Sequence, residues 1–374
     1  MNETRMHNFQ YVPPRPTKKD FRIGILGSGF IVDECHLVSY RIAGFNPVAI
    51  ASRTFENAEK VACRHGISRV YLSYHELLDD PTIEILDIAV PPKYQLELIS
   101  AACARGTVKG ILAQKPLALS YVEAADIVRK CEEAGICLAV NQNMRYDPTV
   151  HTVKGMLDAG YLGTSVFATI DMRGVPHTKD WAADIESATL WLMSIHHLDC
   201  MRFWFGSPER LFCSTRPNPR QLQRHSNGIC TSILEYESNL RCVIIDDVWT
   251  GPAKEGCPKD IRIEWRIEGE DGIALGDIGW CKDPYTTPST MRYARKGNTS
   301  FQHFNPTESW FPHAFAGTMG ELLVAVETGK PGLNSGRDNL ETIALVEAAV
   351  QSANEHRMVS LQSMLRSHSL RDGG

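Results

Sequence analysis

The segment Phe21 to Gly29, FRIGILGSG, constrains this chain more than any other. A short apolar strand runs into two glycines one residue apart, Gly27 and Gly29, and the residues after them are able to open a helix. A diphosphate needs that arrangement. Gly27 turns the chain tightly, and Gly29, lacking Cβ, lets the backbone approach the pyrophosphate. The positive end of the helix and its backbone N–H groups then face the anion. A G-x-G alone occurs in many loops; here it heads a run of alternating strand and helix patterns, and that context gives it meaning.

The alternation is clean. Strands are expected at 23–26, 47–51, 84–90, 110–113 and 136–140, and helices at about 30–43, 56–65, 74–79, 95–105 and 120–134. The run at 84–90 is almost wholly apolar, as for a strand buried on both faces, and Pro91-Pro92 ends it. Such a β-α-β-α series implies a doubly wound parallel sheet of the Rossmann type with right-handed crossovers. From about residue 145 the texture changes. Strands are expected at 165–173, 210–214, 229–237, 241–248 and 261–268, with helices at 150–159, 189–205, 315–328 and 339–355. This second part reads as an α+β domain with an open, mostly antiparallel sheet. The expected division is an extended arm (1–20), a dinucleotide-binding domain (21–144), a substrate-binding and oligomerisation domain (145–365) and a polar tail (366–374).

A chain of 374 residues is too long for one ordinary core, which agrees with two domains. A net charge of −5 provides no basic footprint, so nucleic acid is not an expected partner. No apolar run approaches the ~20 residues of a membrane span, and the polar N-terminus lacks the apolar stretch of a signal peptide. The eleven cysteines are scattered without a C-x-x-C pair. Cys63, Cys103, Cys131 and Cys242 sit in apolar contexts where buried, reduced thiols are expected. Neither a metal site nor a disulfide framework is therefore expected, and the usage suits a reducing cytoplasm.

Four blocks in order resemble the glucose-fructose oxidoreductase / inositol dehydrogenase / rhizopine-catabolism (Gfo/Idh/MocA) family: GSGFIVDECH (27–36), ELLDDPTIEILDIAVPP (76–92), GILAQKPLALS (110–120) and the helical block 310–353. The resemblance spans about 21–361. It implies a Rossmann domain followed by an open, largely antiparallel sheet, and redox chemistry on sugars, polyols or related carbonyls with a nicotinamide cofactor. The departures are specific. Val32 replaces the third glycine, Gln114 the Glu of the E-K-P block, and Gln95 the His of Pro-Pro-x-x-His. The D-x-x-x-H-x-x-D pattern reads Leu192, His196, Asp199, so its first Asp is missing.

Lys115 is the first catalytic candidate. Hydride transfer to or from a carbinol carbon needs positive charge beside an oxygen that becomes alkoxide-like. A lysine at the carboxyl end of a parallel strand sits where such sheets bind ligands, although an ordinary solvated lysine has the same local sequence. The resemblance also makes His196 the general base, its unperturbed pKa near ~6.5 suiting both directions, against the alternative of a satisfied core histidine. Adjacent His197 competes for that role. With Leu192 in place of an acid, Asp199 is the carboxylate left to orient the imidazole. Neutral Gln114 leaves Lys115 with less anionic compensation, which lowers its expected pKa.

For the cofactor, Gly27, Gly29, Phe30 and Ile31 form the phosphate turn. Ser52 and Arg53 stand where an Asp or Glu would bind the ribose hydroxyls of NAD. Their hydroxyl and guanidinium suit a 2′-phosphate, so NADP(H) is favoured over NAD(H), the alternative being a solvated Arg53 with NAD held by other contacts. Pro91 and Pro92 shape the neighbouring loop, and Gln114 and Asn143 complete the cofactor-side set. Arg145, Arg173, Trp181, His197, Asp199 and His313 are the substrate-side candidates, with surface or core roles as alternatives. His36 is expected to pack on the first helix.

The resulting expectation is a cytoplasmic NAD(P)-dependent oxidoreductase acting on a CH–OH group of a sugar, polyol, inositol or sugar-derived carbonyl, assembled as a homodimer or homotetramer. Two rivals stand beside it: a non-catalytic nucleotide- and sugar-sensing relative, and a glycosidase or lyase that uses its nicotinamide transiently.

Overall fold

The computed structural model describes residue 9 and residues 11–174, 180–182, 184–220, 227–249, 261–279 and 288–369. Residues 1–8 and 10 of the arm, the tail beyond 369, Cys257 and Cys281 lie outside the described residues. The chain forms two compact units.

The first unit comprises Pro13–Asn143 and Pro312–Ile343. Its six strands are β1 (Arg22–Leu26), β2 (Asn46–Ala51), β3 (Arg69–Tyr71), β4 (Ile85–Ile88), β5 (Gly110–Ala113) and β6 (Cys137–Val140), all paired in parallel in the order β3-β2-β1-β4-β5-β6. β4 and β5 are buried at every position, which explains why both are apolar apart from Asp87. The crossover helices are Phe55–His65, Gln95–Arg105 and Tyr121–Glu133, the last capped by the Ser120 hydroxyl accepting from Glu123 N–H. β3 escapes a pattern reading because it is a three-residue edge strand with no fully buried position.

The helix expected after the glycines is present, and its first part, Ile31–His36, winds as a wider π-helix before the α-helix Leu37–Ala43. Val32 in this turn is packed into the core, beside Phe21, Ile23 and Leu37. The helix Ala314–Thr328 packs on the parallel sheet, its Met319, Leu322 and Leu323 sharing one buried cluster with Ile23, Ile85 and Leu112.

The second unit comprises Met1–Val12, Met144–Phe311 and Ala344–Gly374, of which the described residues build one nine-stranded sheet. Its strands are β7 (Ser165–Gly174), β8 (Arg210–Arg216), β9 (Ile229–Glu235), β10 (Arg241–Asp247), β11 (Ile261–Gly269), β12 (Gly272–Ile278), β13 (Thr290–Arg295), β14 (Gln302–Phe304) and β15 (Val359–Ser360). The order is β14-β13-β12-β11-β7-β10-β9-β8-β15. Every pairing is antiparallel except β7 with β10. Alternation sets the faces. Ala168, Ile170 and Met172 of β7, with Ile263, Trp265 and Ile267 of β11, are buried, while Asp171, Arg173, Glu264 and Arg266 project to the other side. The helix expected at 189–205 is a π-helical turn, Leu190–Ser194, followed by the α-helix Ile195–Phe205. The helix Leu361–Ser369 runs into the first residues of the polar tail. Cys131 and Cys242 are buried as expected, but Cys63 is exposed and Cys103 half-buried, its sulfur 3.8 Å from that of Cys131.

Candidate active site

In the parallel-sheet unit the candidate residues gather at the carboxyl ends of β1, β2, β4 and β5. Gly27 adopts φ 122° and donates its N–H to Ala51 O at 2.8 Å. A Cβ on Gly27 would stand 2.4 Å from Ala89 O, so this turn admits glycine alone. Gly29 differs: a Cβ there would meet nothing within 4 Å, and the backbone faces open space. A dinucleotide diphosphate fits this cradle, with Gly27, Ser28 and Gly29 along it and the exposed Phe30 and half-buried Ile31 at its rim. Ser28 Oγ donates to Ser52 Oγ at 2.8 Å, tying the phosphate turn to the end of β2. The following Arg53 is exposed, and its N–H is held by the Tyr74 hydroxyl at 3.3 Å. Pro91 is half-buried, and Pro92 opens the short 3-10 turn Pro92–Tyr94 beyond β4.

Gln114 and Lys115 follow β5 directly. Lys115 N–H donates to Gln114 Oε1 at 2.9 Å. Part of the Lys115 side chain stays accessible, yet protein crowds its amine, and that burial pulls its pKa from the usual lysine range to about 7. The expected downward direction is therefore present; its cause is desolvation.

Beneath this loop lies a buried polar chain that sequence reasoning missed. His36, 1% exposed, has Nδ1 2.6 Å from Asp87 Oδ2, which also accepts from the Tyr40 hydroxyl at 2.8 Å. Asn141 Nδ2 lies 2.9 Å from His36 Nε2 and 3.4 Å from Gln114 Oε1. The directions follow from one obligate donor. Lys115 N–H requires an acceptor, so Gln114 presents its oxygen, Asn141 its NH2, and His36 its bare Nε2 to Asn141 and its Nδ1–H to Asp87. Gln142, 1% exposed, has no hydrogen-bond partner among the described residues at either end of its amide. The signal for Gln142 was available in the run Asn-Gln-Asn at 141–143, three polar residues straight after a strand core. Asn143, at the start of the turn Asn143–Tyr146, is buried. His313 is half-buried where the helix Ala314–Thr328 begins.

The second unit holds the remaining candidates. His196 and His197 are both buried in the helix Ile195–Phe205. The His196 ring stands edge-on to Trp310, centroids 5.1 Å apart. His197 turns to the sheet, Nδ1 2.6 Å from Asp246 Oδ1, with Ser194 Oγ bonded to the same carboxylate. Asp199 is engaged by Arg145, Nε to Oδ2 at 2.6 Å. Arg173 bonds Asp171 at 2.8 Å and Asp247 at 2.9 Å. Trp181 lies in the turn Asp180–Ala182, 37% exposed. Among the described residues no group of His, Cys, Asp and Glu is arranged to hold a metal ion.

Residues 21–142 match the Oxidoreductase family, NAD-binding Rossmann fold (GFO_IDH_MocA), and residues 154–361 match that family's C-terminal alpha/beta domain (GFO_IDH_MocA_C). The chain belongs to the Gfo/Idh/MocA oxidoreductase family. Two of its curated relatives are D-apiose dehydrogenase of Paraburkholderia graminis and D-xylose 1-dehydrogenase (NADP(+)) 2 of Haloferax volcanii. The first is 27% identical over 93% of this chain and 92% of its own length, the second 25% identical over 90% and 99%. An oxidoreductase from Agrobacterium radiobacter, crystallised with NAD+, L-tartaric acid and magnesium, shares the fold. Its TM-score is 0.78 at 23% identity, covering 92% of this chain and 99% of that one. Family membership makes a nicotinamide cofactor the natural occupant of the glycine cradle.

Proposed function

We propose that this chain is an NAD(P)-dependent dehydrogenase or reductase acting on a CH–OH group of a sugar, a polyol such as an inositol, or a sugar-derived carbonyl. The observation that carries the reading is Lys115: a half-buried amine at the carboxyl end of β5, desolvated until its pKa stands at about 7. The cradle of Gly27 and Gly29 in the same unit supports it, as do the sugar dehydrogenases among the relatives.

When bound, the nicotinamide ring carbon supplies or accepts the hydride. The protein's part is electrostatic and acid–base. The Lys115 ammonium stabilises negative charge growing on the substrate oxygen during oxidation, and the proposed role of His196 is to take the hydroxyl proton, or return it during reduction. Ser52 and exposed Arg53 support NADP(H), because no carboxylate stands there to repel a 2′-phosphate.

The test is near-ultraviolet absorbance of NAD+ and NADP+, followed separately with D-apiose, D-xylose, inositols and other polyols. Reduction of one cofactor by one substrate class is the expected result. Binding of both cofactors with no hydride transfer in either direction would replace this reading with the sensor.

A further inference from the structure

Gln95 occupies the position where the resemblance pattern carries histidine, and it is completely buried. It opens the helix Gln95–Arg105, directly after the turn Pro92–Tyr94. Its Nε2 lies 2.9 Å from Gln114 O, 2.8 Å from Pro116 O and 3.2 Å from Leu117 O. Carbonyl oxygens only accept, so the amide faces this loop with its NH2, and its two protons are shared among three acceptors. Gln95 Oε1, turned the other way, is buried with no hydrogen-bond partner among the described residues.

We infer that Gln95 is a positioning residue for Lys115: a buried amide that grips the backbone on both sides of it. The three carbonyls bracket position 115, while Lys115's own N–H is taken by Gln114 Oε1. The peptide group before the lysine is thereby held at both its oxygen and its N–H, and the peptide groups that follow Pro116 and Leu117 are held at their oxygens, so the lysine side chain starts from one defined backbone geometry. The identity of residue 95 matters for this grip. A neutral imidazole aims one N–H at most at these carbonyls, whereas a primary amide offers two. Displacement of a catalytic group by about an ångström is enough to lower turnover severely, which is why such a grip has a kinetic consequence. The inference rests on the catalytic reading of Lys115.

The experiment compares wild type, Gln95→Met, Gln95→His and Lys115→Met. It measures turnover of D-apiose and D-xylose, cofactor affinity, and amide hydrogen exchange of the peptide 112–119. Gln95→Met keeps the side-chain length and loses both donors; its kcat is expected to fall about tenfold or more with cofactor Kd within about twofold of wild type. Gln95→His, with one donor, is expected to regain part of that loss, and it decides the question alone if the Met variant does not fold. Exchange of 112–119 is expected to quicken in Gln95→Met while that of β1 does not. A Gln95→Met enzyme with wild-type kcat, beside an inactive Lys115→Met, overturns the inference. A fully active Lys115→Met overturns instead the catalytic reading beneath it. If wild type turns over neither sugar, exchange decides: unchanged protection of 112–119 in Gln95→Met overturns the grip.

Discussion

Arg145 and Asp199 meet through two parallel hydrogen bonds, Nε to Oδ2 at 2.6 Å and Nη2 to Oδ1 at 2.7 Å, with side chains only 4% and 1% exposed. Both carboxylate oxygens thus accept from one guanidinium. Removing the carboxylate takes away the charge paired with a buried guanidinium, so Asp199→Ala is expected to lower stability by about 3–5 kcal/mol. The double change Arg145→Leu with Asp199→Leu should cost less than Asp199→Ala alone. Chemical denaturation reads both; a loss below about 1 kcal/mol for Asp199→Ala contradicts a buried, paired charge.

Lys115 carries a pH signature with a definite sign. Its folded pKa is about 7, below the ~10.4 of an unfolded lysine, so between those values the unfolded chain binds more protons. Stability contributed at this position therefore rises with pH across that window. Wild type measured against Lys115→Met should gain relative stability from pH 7 to pH 10. A flat difference would show an ordinary, solvated amine.

Gln114→Glu tests the same charge through function. A carboxylate beside the ammonium favours its protonated form, so the alkaline limb of kcat/KM that Lys115 controls should move upward from about 7. A limb that stays in place, or moves down, contradicts the assignment.

The two glycines should part company. Gly27→Ala drives a Cβ into Ala89 O in a left-handed backbone conformation and is expected to destabilise the fold. Gly29→Ala meets open space, so its melting temperature should match wild type while cofactor affinity drops about tenfold or more. Equal cofactor affinity in Gly29→Ala would remove the diphosphate from this cradle.

What the sequence made legible was whatever depends on neighbours. The glycine turn, the buried strands β4 and β5, and the Ser120 cap are all written within a dozen residues. β12 was not: its two glycines spoil a strand pattern, yet Gly276 pairs with Trp265 and leaves room for the indole ring. The chain from Asp87 through His36 and Asn141 to Gln114 was equally hidden, since His36 and Asn141 lie 105 residues apart. Gln95 was visible as a departure from a pattern, but only the loop carbonyls beside it show what the amide does.

The central claim is that Lys115 stabilises charge during hydride transfer to or from a nicotinamide held by the glycine cradle. The direct measurement is near-ultraviolet absorbance of the cofactor with wild type and Lys115→Met, together with the cofactor Kd of each. The account predicts that Lys115→Met loses about a thousandfold or more in turnover while binding cofactor within about threefold of wild type. Turnover close to wild type in Lys115→Met would contradict it.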